Sequence, residues 1–279
     1  MIYILYNEKS NGGKPARIFK RLKKKLSKIG PVCPCSLLDL NGKEKAFIQD
    51  KTKKDWIVLL GGDGTVHHFL NQVYPEMIFC RVFVKACGRG NDLARDYRRR
   101  KIFEITHLVN DLPTLKINDQ SPGIFINGMG MGVDSHVCEK QIENAKTGIR
   151  QSYYAIALKV FKKFKPYSLD LTIDGQDYHF DNVWFFVCNN GKYFGGGMKI
   201  TPEAVREDEY LDVCVVHSLK LFLLLLVFPL VFIGKHTWFY RRSIAMIRGK
   251  HILIRPNGCT VLQQDGEINR DVVLAEISR

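Results

Sequence analysis

Four short stretches place glycines beside acids or amides at spacings that suit phosphate chemistry. Gly61-Gly62-Asp63-Gly64-Thr65 follows an apolar run. Glycines let backbone N–H groups approach phosphate oxygens, and a helix starting there adds its dipole. Asp63 is placed to hydrogen-bond a nucleotide or help position Mg²⁺, and Thr65 to donate to a phosphate oxygen. The plainer reading is a turn that closes a strand–helix unit. Gly88-Arg89-Gly90-Asn91-Asp92 repeats the pattern, with helix capping by Asn91 or Asp92 as the plainer reading. Asn7 to Lys14 (NEKSNGGK) is a third glycine-containing loop, or an exposed linker. Far downstream, Asp265-Gly266-Glu267 offers two carboxylates. Phosphoryl transfer to an alcohol needs a group that accepts the hydroxyl proton. An Asp-Gly hairpin turn is the competing reading.

The elements around these stretches alternate. Met1 to Tyr6, Asp55 to Leu60 and Val82 to Ala86 read as buried strands, each running into one of the first three loops. Helices follow at Pro15 to Ile29, Val66 to Val73 and Leu93 to Arg98. The first helix buries Ile18, Leu22, Leu26 and Ile29 and exposes Arg17, Lys20, Arg21, Lys24 and Lys28. Strand, glycine loop and helix in succession predict a parallel α/β layer, with the three loops at its carboxyl edge. After about residue 115 the pattern changes. Strands at 169–173, 183–188, 211–216, 251–255 and 272–277 are separated by Asp174-Gly175, Asn190-Gly191 and Asn257-Gly258 turns. Helical stretches at Gln151 to Lys163 and Leu219 to Phe232 interrupt a half that is otherwise antiparallel β.

Composition narrows the partners. With 46% hydrophobic and 25% charged residues among 279, the chain can bury a core and is not of the disordered class. A net charge of +14 attracts polyanions: nucleic acid, nucleotide phosphates or an anionic membrane. No nucleic-acid-binding motif or stacking pattern appears. The eight cysteines include no CxxC pair, which argues against zinc and for reduced thiols in the cytoplasm. The N-terminus lacks the basic region of a signal peptide. Leu221 to Ile233 is strongly apolar but, at 13 residues with Pro229 inside, too short to span a bilayer; it reads as a buried or an interfacial helix.

Taken in order, GGDGT, GRGNDLAR (88–95) and DGE resemble the diacylglycerol/sphingosine kinase family of lipid kinases over nearly the whole chain. Asn7, Ser10, Gly12 and Gly13 match its opening loop; Phe125-Ile126-Asn127 and Gly130 to Asp134 match the start of its second domain. Gly195 to Met198, Thr201, Pro202 and Ala204 match the middle of that domain. The resemblance implies a Rossmann-like ATP-binding α/β domain over 1–115 and an antiparallel β-sandwich acceptor domain over 116–270, with residues 271–279 returning to the first domain. It implies that Asn7, Gly12, Gly62, Asp63, Gly64, Thr65, Gly88, Gly90 and Asn91 bind ATP. Asp265 is then the general base and Glu267 the nucleotide or Mg²⁺ partner, or the reverse. Glu207, Asp208 and Asp212 resemble a structural Mg²⁺ segment, although Asp208-Glu209 stands where Asp-Gly is usual. Further departures are Glu8 for proline, Arg89 for threonine, His68 for glutamate, and no proline near Ala86.

The expected reaction moves the γ-phosphoryl group of ATP to a lipid hydroxyl, with diacylglycerol as first acceptor. Other lipids, an NAD-kinase-like soluble acceptor and a non-catalytic relative are the alternatives. A lipid acceptor implies peripheral contact with the inner membrane face, served by Lys20–Lys28, Arg98–Lys101 and Lys162, Lys163 and Lys165. Specific nucleic-acid binding is not expected, and a homodimer is left open.

Overall fold

The computed structural model describes residues 1–7, 14–98, 101–147, 153–239 and 242–279. The chain divides into two compact units, Met1–Leu112 and Pro113–Arg279.

In the first unit, β1 (Ile2–Tyr6), α1 (Lys14–Leu26) and β2 (Val32–Ser36) are followed by α2 (Leu37–Leu40) and α3 (Glu44–Gln49). Then come β3 (Trp56–Gly61), α4 (Asp63–Val73), β4 (Arg81–Ala86), α5 (Asp92–Asp96) and β5 (Phe103–Glu104). The sheet order is β2-β1-β3-β4-β5. All pairs are parallel except β4 with β5. Residues 57–61 are buried without a break, as expected of a central parallel strand covered on both faces. Leu22 and Leu26 of α1 pack with Ile2, Ile4, Val58 and Leu60. Ile29 departs from its expected burial and is 59% exposed. The helix ends at Leu26, whose carbonyl accepts the Ile29 and Gly30 N–H groups, so the chain turns away before Ile29 can reach the core. β2 was not expected from VCPCS. Its Pro34 is tolerated because β2 lies at the sheet edge with β1 as its neighbour.

The second unit opens with β6 (Thr114–Ile117), β7 (Gly123–Ile124), β8 (Gly128–Gly132), α6 (Val133–Lys146) and α7 (Tyr153–Lys163). β9 (Tyr167–Ile173), β10 (Gln176–Asn189), β11 (Leu211–His217), α8 (Leu221–Val231) and α9 (His236–Phe239) follow. β12 (Ile244–Gly249), β13 (His251–Asn257), β14 (Leu262–Gln264), β15 (Glu267–Asn269) and β16 (Ala275–Ser278) complete it. Eleven antiparallel strands run in the order β15-β14-β8-β10-β9-β13-β16-β6-β7, with β11 on β10 and β12 on β11. β10 is the seam. Its first half pairs with β9, the register shifts between Phe180 and Val183, and Phe185–Asn189 then lies between β8 and β11. One core gathers Leu115, Met129, Leu169, Phe186, Val213, Ile254, Leu262 and Ile277, so the sheet curls around a shared interior.

The last residues belong to this sheet, which corrects their expected return to the first domain. β16 pairs with β13 and β6, burying Ala275 and Ile277, while Asn118 accepts the Val273 and Leu274 N–H groups. The Asp174-Gly175 turn is as expected: both residues have positive φ and join β9 to β10.

Candidate functional site

In the first unit, β1, β3 and β4 are parallel neighbours in register, so Asn7, Gly62 and Cys87 follow their strands at one edge. Gly12 of the opening loop, with Ser10 and Gly13, lies outside the described residues. The two glycine loops meet backbone to backbone. A Cβ on Gly62 would stand 2.8 Å from the Gly88 Cα, and one on Gly88 2.6 Å from the Gly62 Cα. No side chain fits there, which explains the residue type at both positions.

Asp63 begins α4, yet its carboxylate serves α5. Its Oδ2 accepts the Asp92 N–H at 2.9 Å and its Oδ1 the Leu93 N–H at 3.1 Å. Asp63 therefore caps a second helix and locks the loops together. Asn91 sits in the left-handed region at φ 53° and clamps its own loop. Its Oδ1 accepts the Gly88 N–H at 2.8 Å and its Nδ2 donates to the Gly88 carbonyl at 2.8 Å. Thr65 packs over Gly61, so close that a Cβ there would meet its Oγ1 at 2.2 Å. Gly64 is exposed with open space beside it, in the first turn of α4, where N–H groups and the helix dipole favour an anion. Gly90 accepts the Arg95 Nε–H on its carbonyl, while Arg89 is exposed. His67 is buried with Asn71 against its ring, and His68 points to solvent.

In the second unit, Asp265-Gly266 is the two-residue turn between β14 and β15, both residues having positive φ. The Asp265 carboxylate collects three backbone donors: Ile126 N–H at 2.6 Å, Asn127 N–H at 2.9 Å and Gly128 N–H at 3.2 Å. The segment that grips it is held from behind. The buried Arg206 guanidinium donates to the Ile126 carbonyl and, at 3.0 Å, to Asn127 Oδ1. Glu267, the neighbouring carboxylate, is exposed and makes no hydrogen bond or ion pair among the described residues. Asp134, in the first turn of α6, joins the turn through Gln263. Gln263 Nε2 donates to Asp134 Oδ2 at 2.8 Å, and its Oε1 accepts the Gly266 N–H at 2.8 Å. Gly130 leaves room for this carboxylate, since a Cβ there would lie 2.7 Å from it. Burial pushes the nearby Cys138 thiol up to about 12, with Asp134 and Glu267 adding to the rise, so it stays protonated.

Asp134 also lines an apolar pocket, walled by Phe161, Val216, Leu224, Val227, Phe228 and Val231. His236 lines it as well. Its Nε2 meets the Ile200 carbonyl at 3.0 Å while its buried Nδ1 has no hydrogen-bond partner among the described residues. Burial pushes this imidazole down to about 4, and the bond to Ile200 opposes the shift only in part.

The expected metal segment is built differently. Arg248 ion-pairs with Asp208 and reaches Asp212 at 3.5 Å, while Lys250 pairs with Glu209. Glu207 is exposed. Among the described residues no three His, Cys, Asp or Glu side chains are grouped to hold a metal ion. An arginine thus occupies the position between the acids, and the residues present do not fit a structural Mg²⁺. Burial pushes the Asp212 carboxyl up to about 6; Arg248 opposes this, and Asp208 and Glu203 add to it.

Arg206, Gln263 and Asp134 were not among the expected site residues. Asp134 stood in the GMGVD stretch and Gln263 two residues before Asp265, so their nearness to motifs was the available signal. Arg206, beside an acidic run in a basic chain, gave none.

The family model for the diacylglycerol kinase catalytic domain matches residues 1–114. That for the YegS C-terminal NAD kinase beta sandwich-like domain matches residues 127–276. The Bacillus subtilis protein named "Putative lipid kinase YtlR" is 27% identical over 234 residues, covering 76% of this chain and 74% of that protein. A diacylglycerol kinase of Mycobacterium tuberculosis is 24% identical over 208 residues, covering 71% of this chain and 66% of the relative. A crystal structure of a Bacillus anthracis diacylglycerol kinase matches with a TM-score of 0.70 at 22% identity, over 100% of this chain and 94% of that one. That last likeness is one of fold.

Proposed function

Because this chain belongs to the diacylglycerol kinase/YegS family of lipid kinases, we propose that it transfers the γ-phosphoryl group of ATP to a lipid hydroxyl, turning diacylglycerol into phosphatidic acid. The observation that carries the lipid reading is the apolar pocket whose one acidic wall residue, Asp134, is hydrogen-bonded through Gln263 to the Asp265-Gly266 turn. An acyl chain that packs against these walls leaves its hydroxyl end beside the carboxylates. A soluble dinucleotide acceptor has no use for such walls, which disfavours an NAD-kinase-like reaction.

The first unit supplies the donor side. The exposed start of α4 at Gly64, two residues after the Gly62–Gly88 contact, suits the ATP phosphates, and Asp63 and Asn91 keep the loops in shape. Mg²⁺ bound with the nucleotide would supply positive charge that offsets the phosphates. In the transfer, the lipid hydroxyl oxygen bonds to the γ-phosphorus and the bond to the β-phosphate oxygen breaks, releasing ADP. The hydroxyl proton passes to a carboxylate. Asp265 already accepts three N–H donors, which compete with an incoming hydroxyl for its lone pairs, whereas Glu267 is unengaged. Glu267 is therefore the proton acceptor and Asp265 the residue that fixes the turn. No helix among the described residues is long and apolar enough to cross a membrane, and a bilayer substrate draws the enzyme to the cytoplasmic membrane face.

The test is incubation with γ-labelled ATP, Mg²⁺ and mixed micelles containing diacylglycerol, sphingosine or total lipid, followed by separation of labelled lipids. Labelled phosphatidic acid that disappears with Glu267→Gln supports the reading. ATP binding without any labelled lipid overturns it; a labelled sphingoid base corrects the acceptor.

A further inference from the structure

α8 has two apolar faces, and the cavity accounts for only one. Leu224, Val227, Phe228 and Val231 face the cavity. On the other side Phe222 is 70% exposed, Leu226 55% and Ile233 58%, with Pro229 and Phe232 also exposed. Phe222, Leu226 and Pro229 recur at spacings of four and three, one stripe of α8, and Phe232 and Ile233 follow in the turn after it. Trp238 of α9, 67% exposed, continues the apolar surface, with the Lys235 ammonium 5.4 Å from its ring centroid. Isolated exposed apolar residues need no explanation, but an exposed apolar stripe along one helix does.

The charge around this surface selects the occupant. From Val213 to Gln264 the chain carries seven lysines and arginines and no aspartate or glutamate. Arg248 and Lys250 are engaged by the acids at 208, 209 and 212, but Lys220, Lys235 and Arg242 stand exposed at the ends of the helical pair. α7 meets α8 through Phe161 and Phe228, 5.2 Å apart edge to face, and exposes Lys159, Lys162 and Lys163. Apolar side chains flanked by cations and a tryptophan match the boundary between acyl chains and anionic headgroups.

We propose that the outward face of α8 and α9 seats this protein on an anionic lipid bilayer. The helix that covers the cavity then lies against the membrane, so an acyl chain moves from bilayer to cavity past one layer of side chains. This route into the cavity rests on the lipid-kinase reading; the docking does not require it.

The experiment is vesicle sedimentation without nucleotide, using phosphatidylcholine alone or mixed with phosphatidylglycerol. Wild type is expected to pellet with the anionic vesicles, with blue-shifted Trp238 fluorescence that Trp238→Phe removes. The double variant Phe222→Ser, Leu226→Ser changes only exposed side chains and should bind about 10-fold or more weakly. It should keep wild-type turnover of a short-chain diacylglycerol dispersed below its micelle concentration. Equal vesicle binding by wild type and variant overturns the proposal. So does a wild-type dimer in sedimentation velocity that the variant converts to monomer, because the face would then bind a second copy. Vesicle binding lost in the variant, with no kinase activity in either protein, supports the docking and overturns the kinase reading alone.

Discussion

The glycine-loop edge of the first unit and the hairpin of the second use the same device. In each, an Asp-Gly pair places a carboxylate that gathers backbone N–H groups from a distant segment: Asp63 takes those of Asp92 and Leu93, and Asp265 those of Ile126, Asn127 and Gly128. The supports differ. Around Asp63 the two loops touch through glycine backbones, and any side chain at that contact collides. Around Asp265 the gripping segment is held by a buried arginine, a contact made by side chains that can be exchanged. The most prominent acid of each motif is thus engaged by backbone N–H groups, while Gly64 and Glu267 beside them are exposed.

If the first edge depends on backbone contact, its largest response is to one methyl group. Gly88→Ala puts a carbon 2.6 Å from the Gly62 Cα, where only the main chain can yield. We expect a loss of about 1–3 kcal/mol in stability and ATP binding too weak for calorimetry. Gly64→Ala meets open space and should be neutral or slightly stabilising, since alanine is favoured over glycine in a helix. If it lowers ATP affinity while melting like wild type, Gly64 is a point of nucleotide approach. Equal melting of Gly88→Ala and wild type would break the comparison.

Next in size is Asp265→Asn. An amide turns one acceptor oxygen into a donor facing N–H groups, with a cost of about 1–3 kcal/mol for the donors left unsatisfied. The lowered melting temperature should come with at least about 100-fold loss of kcat, because the turn carrying Glu267 is released. Glu267→Gln should lose kcat alone and melt normally. A Glu267→Gln enzyme with full kcat would return the proton to Asp265.

How far such roles are legible in the sequence follows from the same contacts. The parallel layer was readable because residues 57–61 form an apolar run ending in glycine, and residues 2–6 and 82–86 each run into a glycine-containing loop, a signal carried by residue type. β8 was not readable: GMGMG has no β-branched residue, and although its two methionines alternate into the core, its glycines make room for Asp134, Asn189 and Phe194, which lie elsewhere in the chain. Asp63 and Asp265 could be picked out by letter, but their partners are main-chain N–H groups, which every residue has. Arg206 and Arg248 are two of many cations, and nothing local marks them as buried or as standing between two acids.

Arg248 supplies a smaller test. If it stands where a structural Mg²⁺ would, neither chelator nor added Mg²⁺ should move the wild-type melting temperature in the absence of nucleotide. Arg248→Met leaves Asp208 and Asp212 facing each other, should melt a few degrees lower, and should become sensitive to Mg²⁺. A chelator-sensitive wild type would restore the metal.

The smallest effect is one that the wild type conceals. Asp212 is pushed up to about 6, so the stability of its protonated form is complete below about 4 and lost as pH rises through 6. His236 is pushed down to about 4, so its contribution is complete above about 6.5 and lost as pH falls through 4. Over the same window the two slopes oppose each other, each worth at most about 3 kcal/mol. Both groups are in the second unit, so the compensation should be absent from variants that disturb only one of them. His236→Gln should make the melting temperature fall between pH 4 and 6, and Asp212→Asn should make it rise, relative to wild type. Parallel profiles for all three proteins would show that neither group titrates in that range, and that the cavity wall and the Arg248 site are wetter than their burial implies.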